Sequence, residues 1–299
     1  MSLEYMFGAD PECFLTVGNT LIPAWHFLPN TGKGNCLELG RSGGVHFDNV
    51  MLELNPTPST SLSDVSLNCH ELCYAFRSNV VPEYMKDFQE QFAEVKGIQK
   101  KKTVNCMFAP FYALSADADV LYDSPHLYSF GCEPDYNAYT KKLNPPVDLP
   151  KDIRVAGGHL MISAQDERLY NPDIVFNAVR WMDILVMGTI LAAHQASGAL
   201  SQTWMERENK RRAFYGKAGS FRPKKFPDGY FGIEYRVPSS SWLLLNEVAI
   251  TNIQKAMVDS VEKALALELP PQLFTDEGGE YIINELDHTG VKFLLEADW

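Results

Sequence analysis

Apolar and polar residues alternate with a period of two in several short stretches of this chain. That is the spacing of strands whose two faces meet different surroundings. In residues 50–55, Val50, Leu52 and Leu54 fall on one face and Met51, Glu53 and Asn55 on the other. In residues 158–163, Leu160 and Ile162 oppose His159, Met161 and Ser163. In residues 233–237, Ile233, Tyr235 and Val237 oppose Glu234 and Arg236, and Asp10 and Glu12, two apart, also share a face. These stretches predict strands over 45–55, 153–164 and 232–238, with residues 103–114 extended and a short strand within 128–139. Residues 14–24 read as a hairpin turning at Gly18-Asn19. Residues 30–34 and 40–44 are loops.

Helical patterns fill the intervals. Residues 62–94 are largely helical, with Ser61 or Ser63 available as the cap and Pro82 expected to break or kink the run. Residues 172–197 form the longest helix, capped by Asn171 with Pro172 at its first position. Its apolar residues extend nearly all round, which predicts burial on much of its surface. A further helix covers 245–269. Strands and helices interleave without a regular βαβ rhythm or a GxxxxGK[ST] phosphate loop. The expected class is therefore α+β: a single domain with an antiparallel sheet, helices packed on one face and the other face open.

The polar residues on that open face decide the candidate chemistry. They are Asp, Glu, His, Asn and Arg, with no Lys and little Thr or Ser, where a merely solvated strand face favours Thr, Lys and Ser. Carboxylates with one imidazole are what hard divalent cations require. Gly8, Gly131, Gly157, Gly158 and Gly232 lie just before these elements. They mark either a close approach of a ligand to the backbone or bends in a curved sheet. The run Gly8-Ala9-Asp10-Pro11-Glu12 is echoed by Gly131-Cys132-Glu133-Pro134-Asp135. Proline donates no ladder hydrogen bond, so both segments are expected at a sheet rim or a bulge.

A basic stretch follows the longest helix, with Arg207, Lys210, Arg211, Arg212, Lys217 and Arg222 within WMERENKRRAFYGKAGSFR. It reads either as a solvated helix ending at Gly216 or as a clamp for phosphate or carboxylate. It stands out because the whole chain of 299 residues carries a formal net charge of −12. That charge disfavours general binding to nucleic acid or anionic lipid. The start, residues 1–10, has neither the basic nor the apolar segment of a secretory signal. The most apolar stretch, residues 184–193, is about ten residues long and so too short to span a bilayer. The six cysteines, Cys13, Cys36, Cys69, Cys73, Cys106 and Cys132, form no CxxC pair and no zinc-finger spacing. They are expected as reduced thiols in a cytoplasmic protein.

Six segments in order, GADPECFL, FDNVMLELNPTPS, FGCEPDYNAY, RVAGGHLMIS, RRAFYGKAGSFR and GIEYRVPSSSW, resemble the phage-type carboxylate–amine ligases (amidoligase type 2). These belong to the superfamily of glutamine synthetase and glutamate–cysteine ligase. The segments are spread over residues 8–242. The resemblance implies a curved antiparallel sheet that cradles ATP and divalent metal ions, Mg²⁺ or Mn²⁺. It implies Asp10, Glu12, Glu53 and Glu234 as metal ligands, with His159 approaching metal and nucleotide. Arg211, Lys217, Asn55 and Ser163 are the further nucleotide contacts it implies. Arg236, with Arg212 and Arg222, is then set to stabilise a transferring phosphoryl group. Where relatives carry a second His in GHxHxS, this chain has Met161. Glu133 and Asp135 match the family's acid positions, one for metal and the spare one to accept the amine proton.

The reaction so implied joins a carboxylate to an amine. A carboxylate is a poor acylating agent because its leaving group would be oxide. Conversion to an acyl phosphate by ATP solves this, and metals and arginines neutralise the charge that gathers. The substrates are a small-molecule or peptide carboxylate and amine. The resemblance also implies a possible homo-oligomer and the cytoplasm of a phage-infected bacterium as the setting. Other expectations compatible with the same residues are an ATP-dependent phosphotransferase, a metal-dependent hydrolase, and a binding or structural protein that does no chemistry.

Overall fold

The computed structural model describes residues 3–95, 98, 103–114, 119, 121–128, 135–146, 148–275, 277–285 and 294. The chain opens with β1 (Tyr5–Val17) and β2 (Thr20–Ile22), a hairpin turning at Gly18-Asn19 as expected. Next come β3 (Leu37–Glu38), β4 (Gly43–Asp48) and β5 (Met51–Pro56). Residues 45–55, expected as one strand, are thus a second hairpin. Its two-residue turn is Asn49-Val50, and Asn49 takes a left-handed φ of 52°. That conformation is tolerated by Asn far better than by most residues. The turn is pinned by the Asn49 side chain, which donates to the carbonyl of Leu127 (2.7 Å) and accepts from Arg154 Nε (2.7 Å).

Helix α1 (Leu62–Ala75) begins at Ser61, whose hydroxyl accepts from the Asp64 N–H. It runs through a π-helical turn, Phe76–Val80, into α2 (Val81–Gln91). The wider turn stands just before Pro82. It absorbs the N–H that proline lacks, so the helix is modified there and not broken. The extended region 103–114 resolves into β6 (Asn105–Met107) and β7 (Phe111–Ala113), followed by β8 (Tyr136–Asn137) and β9 (Lys142–Leu143). Residues 153–164 split into β10 (Ile153–Val155) and β11 (Gly158–Ala164). Then come α3 (Pro172–Ala196), α4 (Gln202–Phe214), β12 (Ser220–Lys225), β13 (Phe231–Tyr235), α5 (Glu247–Leu265) and α6 (Glu277–Asn284).

Eleven of the described strands form one antiparallel sheet in the order β3-β4-β5-β1-β11-β13-β12-β8-β9, with β2 and β6 also paired to β1. Strands β7 and β10 form a separate pair. The protein is therefore of mixed α/β composition with a large, open antiparallel sheet. Phe7, Ala9 and Cys13 of β1, Leu52 and Leu54 of β5, Leu160 and Ile162 of β11, and Ile233 and Tyr235 of β13 all point to one face and are buried. Helices α1, α3 and α5 cover that face and share one apolar core with it.

Strand β1 lies in the middle of the sheet, not at the rim its proline predicted. It pairs β11 from Tyr5 to Pro11 and β5 from Glu12 onward. Pro11 sits where one ladder ends and the next begins, so its missing N–H costs the sheet little. The echo of this motif, Gly131 to Pro134, lies outside the described residues, as does Cys132.

Helix α3 is long and apolar enough to cross a membrane by length and composition, well beyond the ten-residue stretch read from the sequence. Most of its apolar window, 78%, is buried inside the protein. Its buried Asp183 accepts from Tyr235 Oη (2.6 Å), Tyr139 Oη (2.9 Å) and the Gly219 N–H (2.8 Å). Burial pushes its carboxyl up to about 7 even though those three hydrogen bonds favour the charged form. This one residue fastens α3 to β13 and to the turn before β12.

The Cα of Gly158 abuts the Ser239-Ser240 backbone, where an added Cβ would stand 2.3 Å from the Ser240 nitrogen. At Gly8 an added Cβ would meet Met161 at an ordinary 3.6 Å. Gly158→Ala should therefore destabilise the fold by about 2 kcal/mol or more, the scale of an overpacked core, and Gly8→Ala by well under that. Urea unfolding of both variants measures the difference, and equal midpoints would contradict this packing.

Candidate functional site

The cross-strand register brings the polar faces together. His46, Glu53 and Glu12 lie side by side across β4, β5 and β1. Asp10 lies opposite His159, and Met161, Glu234 and Arg222 line up across β11, β13 and β12. Because paired residues point the same way, these side chains occupy the sheet face opposite the one that α1, α3 and α5 cover. The separate strands over 50–55, 158–163 and 233–237 therefore do contribute to one surface.

One end of this surface is acidic. Carboxylate oxygens of Glu12, Asp48 and Glu53 lie within 4.8 Å of one another. Burial raises the Glu12 carboxyl to about 8, with Asp48 adding to the effect and the Gly157 N–H opposing it. Burial and the charges of Asp10, Glu12 and Asp48 push Glu53 well above its ordinary value. His46 Nε2 stands 3.5 Å from Glu53, and its Nδ1 is 2.9 Å from the Asn55 amide. Asn55 thereby holds the His46 ring, whose pKa burial lowers.

Beside it, Asp10 Oδ1 is 2.8 Å from His159 Nδ1, and Tyr215 Oη is 2.8 Å from His159 Nε2. Burial and Arg236 hold His159 well below its ordinary pKa, so the ring is neutral. With the proton on Nδ1 it donates to Asp10 and accepts from Tyr215. Asp10 is raised to about 6 by burial, against the pull of Arg236, Lys224 and Arg222. Gly157 makes room for this arrangement, since a Cβ there would lie 2.5 Å from His159 Nε2.

The other end is cationic. Glu234 pairs with Arg236, Lys224 and Arg222, the last at 3.3 Å. Burial and Asp10 push its carboxyl up, but Arg236 foremost, with Lys224, outweighs them and leaves it below its ordinary value. Arg236 also reaches Tyr215 and, through Nε, Asp135 at 3.3 Å. Asn144 donates to Asp135 (3.0 Å) and to Ser220 Oγ (3.0 Å). Asp135, Tyr215, Lys217 and Ser220 line a small adjoining pocket of about 200 Å³.

The structure thus gathers Asp10, Glu12, Glu53, Asn55, His159, Ser163, Glu234, Arg236 and Arg222 on one face, with Asp135 and Lys217 at its edge. It does not gather the whole basic stretch. Arg211 and Arg212 are fully buried and share Glu208, with Arg211 Nε at 3.2 Å and Arg212 at 3.5 Å. Arg212 also donates to the Ile283 carbonyl (3.0 Å), and Arg211 to that of Val237. Both are structural ion-pair partners, which corrects the phosphate and nucleotide roles expected of them. Lys210 lies over the Phe111 ring and, with Arg207, lines a different pocket. Glu133 lies outside the described residues.

Four participants were not foreseen: His46, Asp48, Lys224 and Tyr215. The Asp48-Asn49 turn signal inside 45–55 reveals the first two, because a hairpin there folds them back beside Glu53. Lys224 follows Arg222 by two residues and so shares its face. Tyr215 has no periodic signal and is placed by the end of α4.

No known protein family and no curated protein matches this chain in sequence.

The chemistry of the assembled face fits divalent cations. Buried carboxylates that raise one another's pKa are stabilised by a hard cation, and hard oxygen donors with one imidazole suit Mg²⁺ or Mn²⁺. Glu12, Asp48 and Glu53 make the better-fitting set. In the group of Asp10, His159 and Glu234, the last is already neutralised by three cations. The sign of the pH effect follows from Glu12. Its pKa rises from 4.5 to about 8 on folding, so its contribution to stability is complete below 4.5 and is lost as pH rises toward 8. Mn²⁺ should raise the melting temperature more at pH 8 than at pH 5, and Glu12→Gln should shrink the difference. Melting curves that ignore Mn²⁺ and Mg²⁺ at pH 8 would remove the metal reading.

Proposed function

We propose that this protein is an ATP- and divalent-metal-dependent ligase that joins a carboxylate to an amine. The observation that carries the reading is the division of one sheet face into a carboxylate half and a cationic half. Asp10, Glu12, Asp48 and Glu53 lie at one end, and Arg222, Lys224 and Arg236 around Glu234 at the other. A magnesium–nucleotide complex carries both charges and needs both halves. The open antiparallel sheet with helices on its far side also accords with the glutamine-synthetase-like fold that the motifs imply.

Glu12, Asp48 and Glu53 would hold the metal, with Asp10 adjacent and His159 orienting it. Bound there, divalent cations would neutralise the charge of a phosphoryl group in transit. Arg236 and Arg222 face the same region and would receive the equatorial phosphoryl oxygens. Glu234 and Asp135 fix the Arg236 guanidinium, so its direction is set before a ligand arrives. Tyr215 fixes the neutral tautomer of His159, which keeps Asp10 oriented. Met161, flanked by Gly8 and Glu234, puts a thioether where relatives have imidazole. The substrate carboxylate would lie beside the cationic half, within reach of the pocket lined by Lys217 and Ser220.

The test is ATP turnover with Mg²⁺ or Mn²⁺ against pooled amino acids and amines, reading phosphate release and new masses together. The expected product is acid plus amine less water. A phosphorylated amine or guanidine would make the protein a phosphotransferase, turnover without nucleotide a hydrolase, and absence of metal-dependent ATP binding a protein without this chemistry. Glu53→Gln should keep the fold and lower turnover by about a hundredfold or more. Arg222→Ala should weaken nucleotide binding while Arg212→Lys, buried against Glu208, acts on stability instead. Isothermal titration with ATP and thermal melting separate those two effects.

A further inference from the structure

A second convergence of ligand atoms lies on the opposite side of β1 from the acidic face. Cys13 of β1, Cys73 of α1 and Cys106 of β6 come from distant parts of the sequence, yet their Sγ atoms lie within 4.8 Å of one another. Cys13 and Cys73 are buried and Cys106 is half-buried, and Cys13, Cys73 and Cys106 are all free thiols.

Three thiolates about 2.3 Å from a single ion in one plane lie about 4.0 Å apart. Sγ atoms that all lie within 4.8 Å of one another are therefore close enough together to share one ion in a three-sulfur shell. A disulfide between Cys13 and Cys106 fits less well. Cys106 is in register with Leu15, so Cys13 is its diagonal neighbour across the two strands. Diagonal α-carbons lie about 7–8 Å apart, beyond the usual reach of about 4.4–6.8 Å for a disulfide. The donors are all sulfur, and no carboxylate or imidazole joins them among the described residues. Soft sulfur ligands with no hard donor select thiophilic ions over Mg²⁺ or Mn²⁺.

We infer that Cys13, Cys73 and Cys106 form a binding site for one thiophilic d¹⁰ cation, of the Cu(I) or Zn(II) class, held by three thiolates. Binding releases the thiol protons, and the half-buried Cys106 is the point of entry. The ion ties α1 and β6 to β1 at Cys13, the residue next to Glu12. The site is independent of the reaction proposed above.

The experiment uses the full chain, reduced, in a Cys36→Ser, Cys132→Ser background with excess Mg²⁺ to occupy oxygen ligands. Cd²⁺ is titrated anaerobically while sulfur-to-metal charge-transfer absorption is followed, and Zn²⁺ is then added in competition. One equivalent of Cd²⁺ should develop the band. Cys106→Ser and Cys73→Ser should each weaken binding by at least about tenfold, the lower end of what disturbing a metal's ligand shell costs. Cys69→Ser, one helical turn from Cys73 but outside the trio, should leave it unchanged. Circular dichroism checks each fold. The half-buried Cys106→Ser decides the matter if Cys73→Ser fails to fold. Absence of the band, its survival in Cys106→Ser, or a disulfide forming in place of metal uptake would overturn the inference.

Discussion

Strand β1 exchanges hydrogen bonds with β11 along its first half and with β5, β6 and β2 along its second, and Pro11 stands where these ladders meet. Asp10 and Glu12 flank that proline on one face, while Ala9 and Cys13 project into the core on the other. Because β1 is the shared neighbour, acids from β1 and β5 crowd Asp48 of β4 on one side and His159 of β11 on the other. The crowding is costly. Burial and mutual repulsion favour the protonated forms of Glu12 and Glu53. A fold that keeps such a cluster accepts local instability that a bound cation would relieve.

The cationic end obeys the same electrostatics with the signs arranged differently. Glu234 is fully enclosed, and three cations around it make its ionised form the stable one. A positive excess then faces the open side of the sheet. Deeper in the protein, Glu208 plays a comparable part for Arg211 and Arg212, assisted by Ser239. A buried guanidinium without a partner would cost several kcal/mol. Two arginines so paired are therefore anchors of α4, however suggestive their place in a basic stretch. Asp183 does the equivalent work for α3.

The periodic signals were legible because they depend only on neighbours in the chain. The hairpin at Gly18-Asn19, the caps at Ser61 and Asn171, and the opposed faces of residues 158–163 and 233–237 all occur where the pattern put them. Boundaries inside long extended runs were not legible. Residues 45–55 read as one strand because apolar and polar positions continue through Asn49-Val50, and only the left-handed Asn49 reverses the chain. The central position of β1 was hidden too. Proline argues for an edge, and only the change of partner at Pro11 lets it sit mid-sheet.

The sequence by itself determined which residues share a face of each strand, because side-chain alternation is a property of the backbone. It also determined that those faces carry carboxylates, imidazole and arginine. Only the tertiary structure decided which strands are neighbours, and so which acids repel one another and which cations surround Glu234. It decided that Arg222 and Lys224 face the open side while Arg211 and Arg212 are consumed by Glu208. It also brought Cys13, Cys73 and Cys106 together. The physical reason is that pairing register and burial are set by contacts between residues far apart in the chain, and charge interactions depend on distance and solvent, not on sequence order.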